Sequence, residues 1–173
     1  GRRLAMAEED YDFPPFRPPS EADSLLLRVT RGCVFCPMYK HIKFEKRSVK
    51  AVKRDIDTAR AYTCGNVETV FIADSDSLVI GTEEMCQILG HLHATFPSLA
   101  RVTSYARAST LKRKSVESLK KIRSSGLTRL HIGLETGSAQ LLLRIRKGAG
   151  PDTMIQGCTK ARKAGFEVSL YVL

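Results

Sequence analysis

The sequence predicts an α/β fold with a parallel sheet, on three observations. Five short runs of strand character recur from residue 24 onward, four of them are followed by stretches with helical spacing, and the run starts lie roughly 26 to 44 residues apart. That separation is the length a right-handed crossover between parallel strands requires. Neither periodicity nor spacing distinguishes an open sheet from one curled into part of a barrel.

The elements follow in order. Residues 1–23 hold four of the seven prolines (Pro14, Pro15, Pro18, Pro19), a composition that resists helix and ladder pairing, so this stretch reads as an extended lead-in strap. Residues 24–173 read as the domain proper. The strand candidates are residues 25–30 (LLLRVT), 69–73 (TVFIA), 101–105 (RVTSY), 127–134 (LTRLHIGL) and 166–173 (FEVSLYVL). Between the first two, Val49, Val52, Ile56 and Ala59 step by three and four and leave Lys50, Lys53, Arg54 and Asp57 mainly on the other side. A second helix opens near Thr82, with Glu83 and Glu84 where the helix dipole favours acids, and turns Met85, Ile88, Leu89 and Leu92 inward. The third presents Val116, Leu119 and Ile122 before Gly126; the fourth spans residues 138–146; the fifth starts at Pro151 and Asp152 and stops at Gly165. Because the chain ends on an apolar strand with no helix to cover it, the domain is expected to be incomplete at its C-terminus.

Composition excludes several classes. Lys and Arg number 28 against 18 Asp and Glu, a net charge of +10, which suits either an anionic partner or a solvated basic surface. The basic residues mostly leave an apolar helix face free, there is no Trp, and aromatics are 7%, so no base-stacking platform is evident and a nucleic-acid partner lacks support. No apolar run approaches the roughly 18 residues of a membrane span, and the first residues lack a secretory apolar stretch. A soluble, cytoplasmic protein without a membrane partner is the expectation. Five cysteines are an odd number, and Cys64, Cys86 and Cys158 stand singly in segments read as core, which argues against a secreted disulfide framework.

Chemistry concentrates after the first strand, in Arg31-Gly32-Cys33-Val34-Phe35-Cys36-Pro37-Met38. Loops at the carboxyl ends of parallel strands are where such folds build sites. By itself C-x-x-C supports half of a zinc site, a dithiol redox pair, thiolates for an iron-sulfur cluster, or two reduced thiols with no role.

RPPSEADSLLLRVTRGC followed by VFCPMYKHIKFEKR resembles the opening of a radical S-adenosylmethionine (SAM) domain, of the broad kind that includes the Elp3-like and coproporphyrinogen-dehydrogenase-like enzymes. ETVFIADSDSLVI, RVTSYARAS and LTRLHIGLETGSAQLLLRIRKGAGPDTM agree in order with its later strands, so the resemblance covers about residues 17–173. It implies a TIM-like (β/α)6 partial barrel. It also implies two cofactors, a [4Fe-4S] cluster and SAM, whose reductive cleavage yields a 5′-deoxyadenosyl radical that abstracts hydrogen from an unknown substrate. An external electron donor such as flavodoxin or ferredoxin is implied as partner. By the same resemblance Cys33 and Cys36 are the metal ligands. Asp74, with Asp76 near it, falls where the SAM amino group is received, Glu135 where the ribose hydroxyls are bound, and Arg146 and Lys147 where a cation meets the SAM carboxylate. Ser104 and Tyr105, at the end of the third strand, are expected at the same mouth.

One departure matters. The family's motif has three cysteines and this sequence has two, as though about four residues had dropped out beside Cys33. Three thiolates hold three irons and leave the fourth open to SAM, so the chain as written is expected to hold a cluster poorly. The alternative readings are a zinc or dithiol scaffold on Cys33 and Cys36 without radical chemistry, and a basic RNA-binding module.

Overall fold

A computed structural model describes residues 17–31, 43–73 and 75–172. In chain order its elements are β1 (Leu25–Arg28), β2 (Thr30–Arg31), β3 (Glu45–Lys46), α1 (Val49–Thr63), β4 (Thr69–Ala73), α2 (Thr82–Thr95), β5 (Arg101–Tyr105), α3 (Ala108–Arg113), α4 (Val116–Ser124), β6 (Arg129–Glu135), α5 (Ala139–Arg144), α6 (Pro151–Lys163) and β7 (Glu167–Val172). The main sheet has the order β1-β4-β5-β6-β7, and every neighbouring pair is parallel. These are the five expected strands in sequential order, joined by the expected crossovers.

Local chemistry sets the helix starts. Ser48, Ser115 and Ser138 each accept a backbone N–H three residues on, from Ala51, Ser118 and Leu141, and so satisfy donors that have no partner inside the helix. At α2 the Glu84 carboxylate reaches back to the Gly81 N–H at 2.7 Å.

Three local features differ from the sequence reading. The first strand breaks at Val29, because its carbonyl accepts the Arg47 N–H at 3.0 Å and hands the chain to a short antiparallel pair, β2 with β3. Helix α3 is an addition, since ASTLKR is too short to show a period. Within the lead-in, Pro19–Glu21 forms a 3-10 turn instead of an extended strap and buries Glu21 completely.

Side-chain alternation divides the sheet into two faces. Leu25, Leu27, Val70, Ile72, Val102, Leu130 and Ile132 face the helices, where Val52 and Ile56 of α1, Met85, Ile88, Leu89 and Leu92 of α2, Leu119 and Ile122 of α4, and Met154 and Ala161 of α6 complete the core. Successive same-handed crossovers put all these helices on one side. The opposite face carries Phe71, Thr103, Tyr105, His131, Gly133 and Tyr171 instead. On the helical side α3 and α6 meet backbone to backbone: a Cβ at Gly157 would overlap the Ala108 carbonyl oxygen and come within 2.9 Å of the Ala108 Cα.

Candidate functional site

Among the described residues the opposite face carries no α-helix, and this helix-free face is built differently at its two ends. At the amino end the Pro19–Glu21 turn delivers the Glu21 carboxylate, which accepts from the Ser24 hydroxyl at 2.7 Å, pairs with Arg101 at 3.5 Å and meets His131 Nε2 at 3.2 Å. A carboxylate only accepts, so Nε2 carries the proton, Nδ1 is the acceptor, and the Tyr171 hydroxyl donates to it at 3.0 Å. Burial lowers the His131 pKa, outweighing the opposing effect of its hydrogen bond to Glu21, so the ring is held neutral at neutral pH. The rings of Phe71 and Tyr105 pack edge to face at 5.0 Å, with His131 and Tyr171 beside them. Burial, together with Tyr171 and Glu21, pushes the Tyr105 phenol up to about 12.

The carboxyl end holds the charged groups. Strand β6 ends in a bulge between Gly133 and Glu135, and Glu135 takes φ +62°, a conformation few non-glycine residues adopt. The bend turns its carboxylate back over Gly133, where it forms an ion pair with Lys147. A Cβ on Gly133 would collide with the Glu135 carboxylate and stand 2.9 Å from Lys147 Nζ, so the absent side chain is what makes room for the pair. Gly133 shares the face of His131, two residues earlier, which places both charges on the helix-free face. Each remains slightly exposed, at 15% for Glu135 and 12% for Lys147.

Two neighbouring loops abut them. Asp76, after β4, is buried and accepts the Thr110 hydroxyl at 2.6 Å and the Arg107 N–H at 3.3 Å. Burial pushes its carboxyl above the ordinary range despite those hydrogen bonds and the Arg107 charge. The Arg107 guanidinium in turn donates to the Lys147 carbonyl at 3.1 Å. The resemblance marks the glycine of the fourth strand, Gly133, but Arg107 has no role in the sequence reading, though a charged residue two places beyond a parallel strand's end is a signal that could have found it.

Of the expected site residues, Glu135 and Lys147 are brought together. Ser104 does not join them. It alternates with Thr103 and Tyr105 onto the helix-covered face, is completely buried, and places its hydroxyl 3.2 Å from the Ile72 carbonyl oxygen. Tyr105, one residue on, faces the other way. Cys33, Cys36 and Asp74 lie outside the described residues.

Comparison with known proteins follows the same outline. The Radical SAM superfamily model matches residues 30–173. This chain belongs to the radical SAM superfamily. No curated protein matches the sequence. Among solved structures, the cobalamin-dependent S-adenosylmethionine radical enzyme OxsB with aqua-cobalamin and S-adenosylmethionine bound is 19% identical, with a TM-score of 0.66 over 87% of this chain and 24% of its own. HydG, a maturase of the [FeFe]-hydrogenase, is 20% identical with a TM-score of 0.62 over 86% of this chain and 34% of its own. Coproporphyrinogen III oxidase (HemN) from Escherichia coli, a radical SAM enzyme, is 14% identical with a TM-score of 0.63 over 86% and 36%. At these identities the likeness is one of fold: the parallel α/β sheet with its helices on one side. The chain spans about a quarter of OxsB and a third of the other two.

The superfamily implies a [4Fe-4S] cluster and SAM, and the residues present suit them unequally. For SAM, a carboxylate and an ammonium stand together over a glycine at the carboxyl edge. For the cluster, the sequence offers the neighbouring Cys33 and Cys36, which lie outside the described residues, where three thiolates are needed. The described cysteines do not make up the difference. Cys64 caps the far end of α1, at the amino edge of the sheet, while Cys86 and Cys158 pack against the hydrophobic core from α2 and α6. No cluster of three or more metal-ligating side chains occurs among the described residues. Among the described residues, therefore, no thiolate stands where it would join Cys33 and Cys36 as a third cluster ligand. No described helix is long and apolar enough to cross a membrane.

Proposed function

We propose that this chain is the SAM-binding portion of a radical SAM enzyme. The observation that carries the reading is the Glu135–Lys147 pair, set over Gly133 at the carboxyl edge of the helix-free face. SAM offers two ribose hydroxyls as donors and a carboxylate as acceptor. The Glu135 carboxylate accepts both hydroxyls, and Lys147, with three donors, keeps Glu135 while adding the ligand's carboxylate. Asp74 is assigned to the SAM amino group by its place after β4. The rings of Phe71 and Tyr105 line the face beneath, and the Tyr105 phenol stays protonated at neutral pH. The superfamily's radical chemistry needs a third thiolate, so the chemistry assigned to this chain is recognition of SAM.

Isothermal titration calorimetry of the full chain with SAM tests this. Glu135→Gln is expected to weaken binding about tenfold or more, since it removes the charge behind two hydrogen bonds. Equal affinity of the variant and the unaltered chain, or no SAM binding by the latter, overturns the reading.

A further inference from the structure

Lys147 reaches Glu135 from a turn that is costly to form, and the structure assigns to Arg107 the role of holding that turn, as a positioning residue for recognition of the ligand's carboxylate. The assignment rests on the SAM-binding reading above and adds to it a residue that touches no ligand. After α5 the chain passes through two left-handed residues, Arg146 at φ +54° and Gly148 at φ +74°, of which the first carries a steric cost that glycine does not. Two main-chain bonds, Arg146 N–H to the Leu143 carbonyl and Lys147 N–H to the Leu142 carbonyl, each 3.0 Å, fix the turn as far as the Lys147 nitrogen. Its carbonyl lies beyond their reach. The Arg107 guanidinium restrains that carbonyl at 3.1 Å, a hydrogen bond from a charged donor, and lies close enough to Gly148 that a Cβ there would stand 3.5 Å from Nη2.

Arg107 is itself well anchored. Its N–H donates to Asp76, and its carbonyl accepts the N–H groups of Thr110 and Leu111 as α3 begins. The preceding N–H, from Ala106, donates to the His131 carbonyl of β6 at 3.0 Å. One backbone position is thus tied to the loop after β4, to β6 and to α3, while its side chain reaches 40 residues downstream to the segment that carries Lys147. A flexible lysine on an unrestrained turn would lose conformational freedom on meeting a carboxylate, and the restraint removes some of that loss beforehand.

The test uses two ligands. SAM carries the carboxylate; 5′-methylthioadenosine has the same adenosine and ribose without it. By calorimetry on the full chain, Arg107→Ala is expected to weaken SAM about tenfold and to leave 5′-methylthioadenosine within about twofold. Arg107→Lys, which keeps the charge, should recover some of the loss. In a Lys147→Ala background Arg107→Ala should cost nothing more, because its effect passes through Lys147. Unchanged SAM affinity in Arg107→Ala, an equal loss for both ligands, or an undiminished loss in the Lys147→Ala background overturns the assignment, the last by making Arg107 a direct contact. Glu135→Gln separates the two readings. If it weakens both ligands while Arg107→Ala leaves SAM unchanged, only the role of Arg107 falls. If it weakens neither, or the unaltered chain binds neither ligand, the SAM site falls and Arg107 with it.

Discussion

His131 is a histidine sealed between a carboxylate and a phenol, and its burial ties stability to pH. Its pKa in the folded chain lies below the ordinary 6.5, mainly through desolvation, so between those two values the unfolded chain binds more protons than the folded one. Stability is then fully present above about pH 6.5 and falls as the pH drops through that window. Asp76, whose pKa is raised by burial, acts in the opposite sense. Of the charged and titratable groups facing His131, Glu21 favours its protonation while Arg101 and Arg129 oppose it, and Tyr171 stays neutral. We expect the melting temperature to decline between pH 7.5 and 5, with a visibly shallower decline in His131→Asn; parallel profiles would show that His131 does not set the slope. The same strand environment shows where residue-level reading of the sequence fails. RVTSY places the small hydroxyl residues Thr103 and Ser104 next to each other, so its alternation has no clear phase, and the expectation for Ser104 falls on the wrong face. That Glu135 and Lys147 belong near one another came from the family resemblance, whereas the bulge that swings Glu135 over Gly133 leaves no mark in composition.

Among the elements, the crossing of α3 and α6 brings backbone against backbone and sets up a contrast between two glycines. Gly157→Ala must push the helix backbones away from each other, because the atoms it meets belong to the Ala108 peptide and cannot rotate away. We expect a loss of about 2 kcal/mol or more in urea-melt stability, in the range for overpacking a closed interface. Gly90→Ala, inside α2 with nothing within 4 Å of the added methyl, should instead gain roughly 0.5 to 1 kcal/mol from helix propensity. Similar values for the two would mean that α6 can shift away from α3. The crossing had no sequence signal, since α3 has too few turns for its apolar spacing to register, and the β2–β3 pair is only two residues per strand. The five parallel strands and the longer helices were legible because each repeats its period several times and ends at a cap.

At the scale of the whole molecule, ligand number decides what the chain holds. Anaerobic reconstitution with ferrous iron and sulfide is expected to load well under one [4Fe-4S] cluster per chain, by iron and sulfide assay and by absorbance in the thiolate-to-iron region. Four irons and four sulfides per chain would mean that a group other than Cys64, Cys86 or Cys158 completes the set. The family and its parallel architecture were legible from the ordered run of motifs along the chain. What holds the site together was not, because Asp76, Arg107 and Lys147 come from three separate crossovers and only folding makes them neighbours. The buried Glu21 carries a similar consequence for how the chain is made. Its partners Arg101 and His131 lie 80 and 110 residues further on, and Tyr171, which closes the far side of His131, lies 150 residues on. The Pro19–Glu21 turn is synthesised before β5, β6 and β7 and lacks its docking partners until they exist, so it should be the last segment of the described fold to order, and amides that depend on it, such as that of Ser24, should be among the last protected in a pulse-labelled refolding experiment.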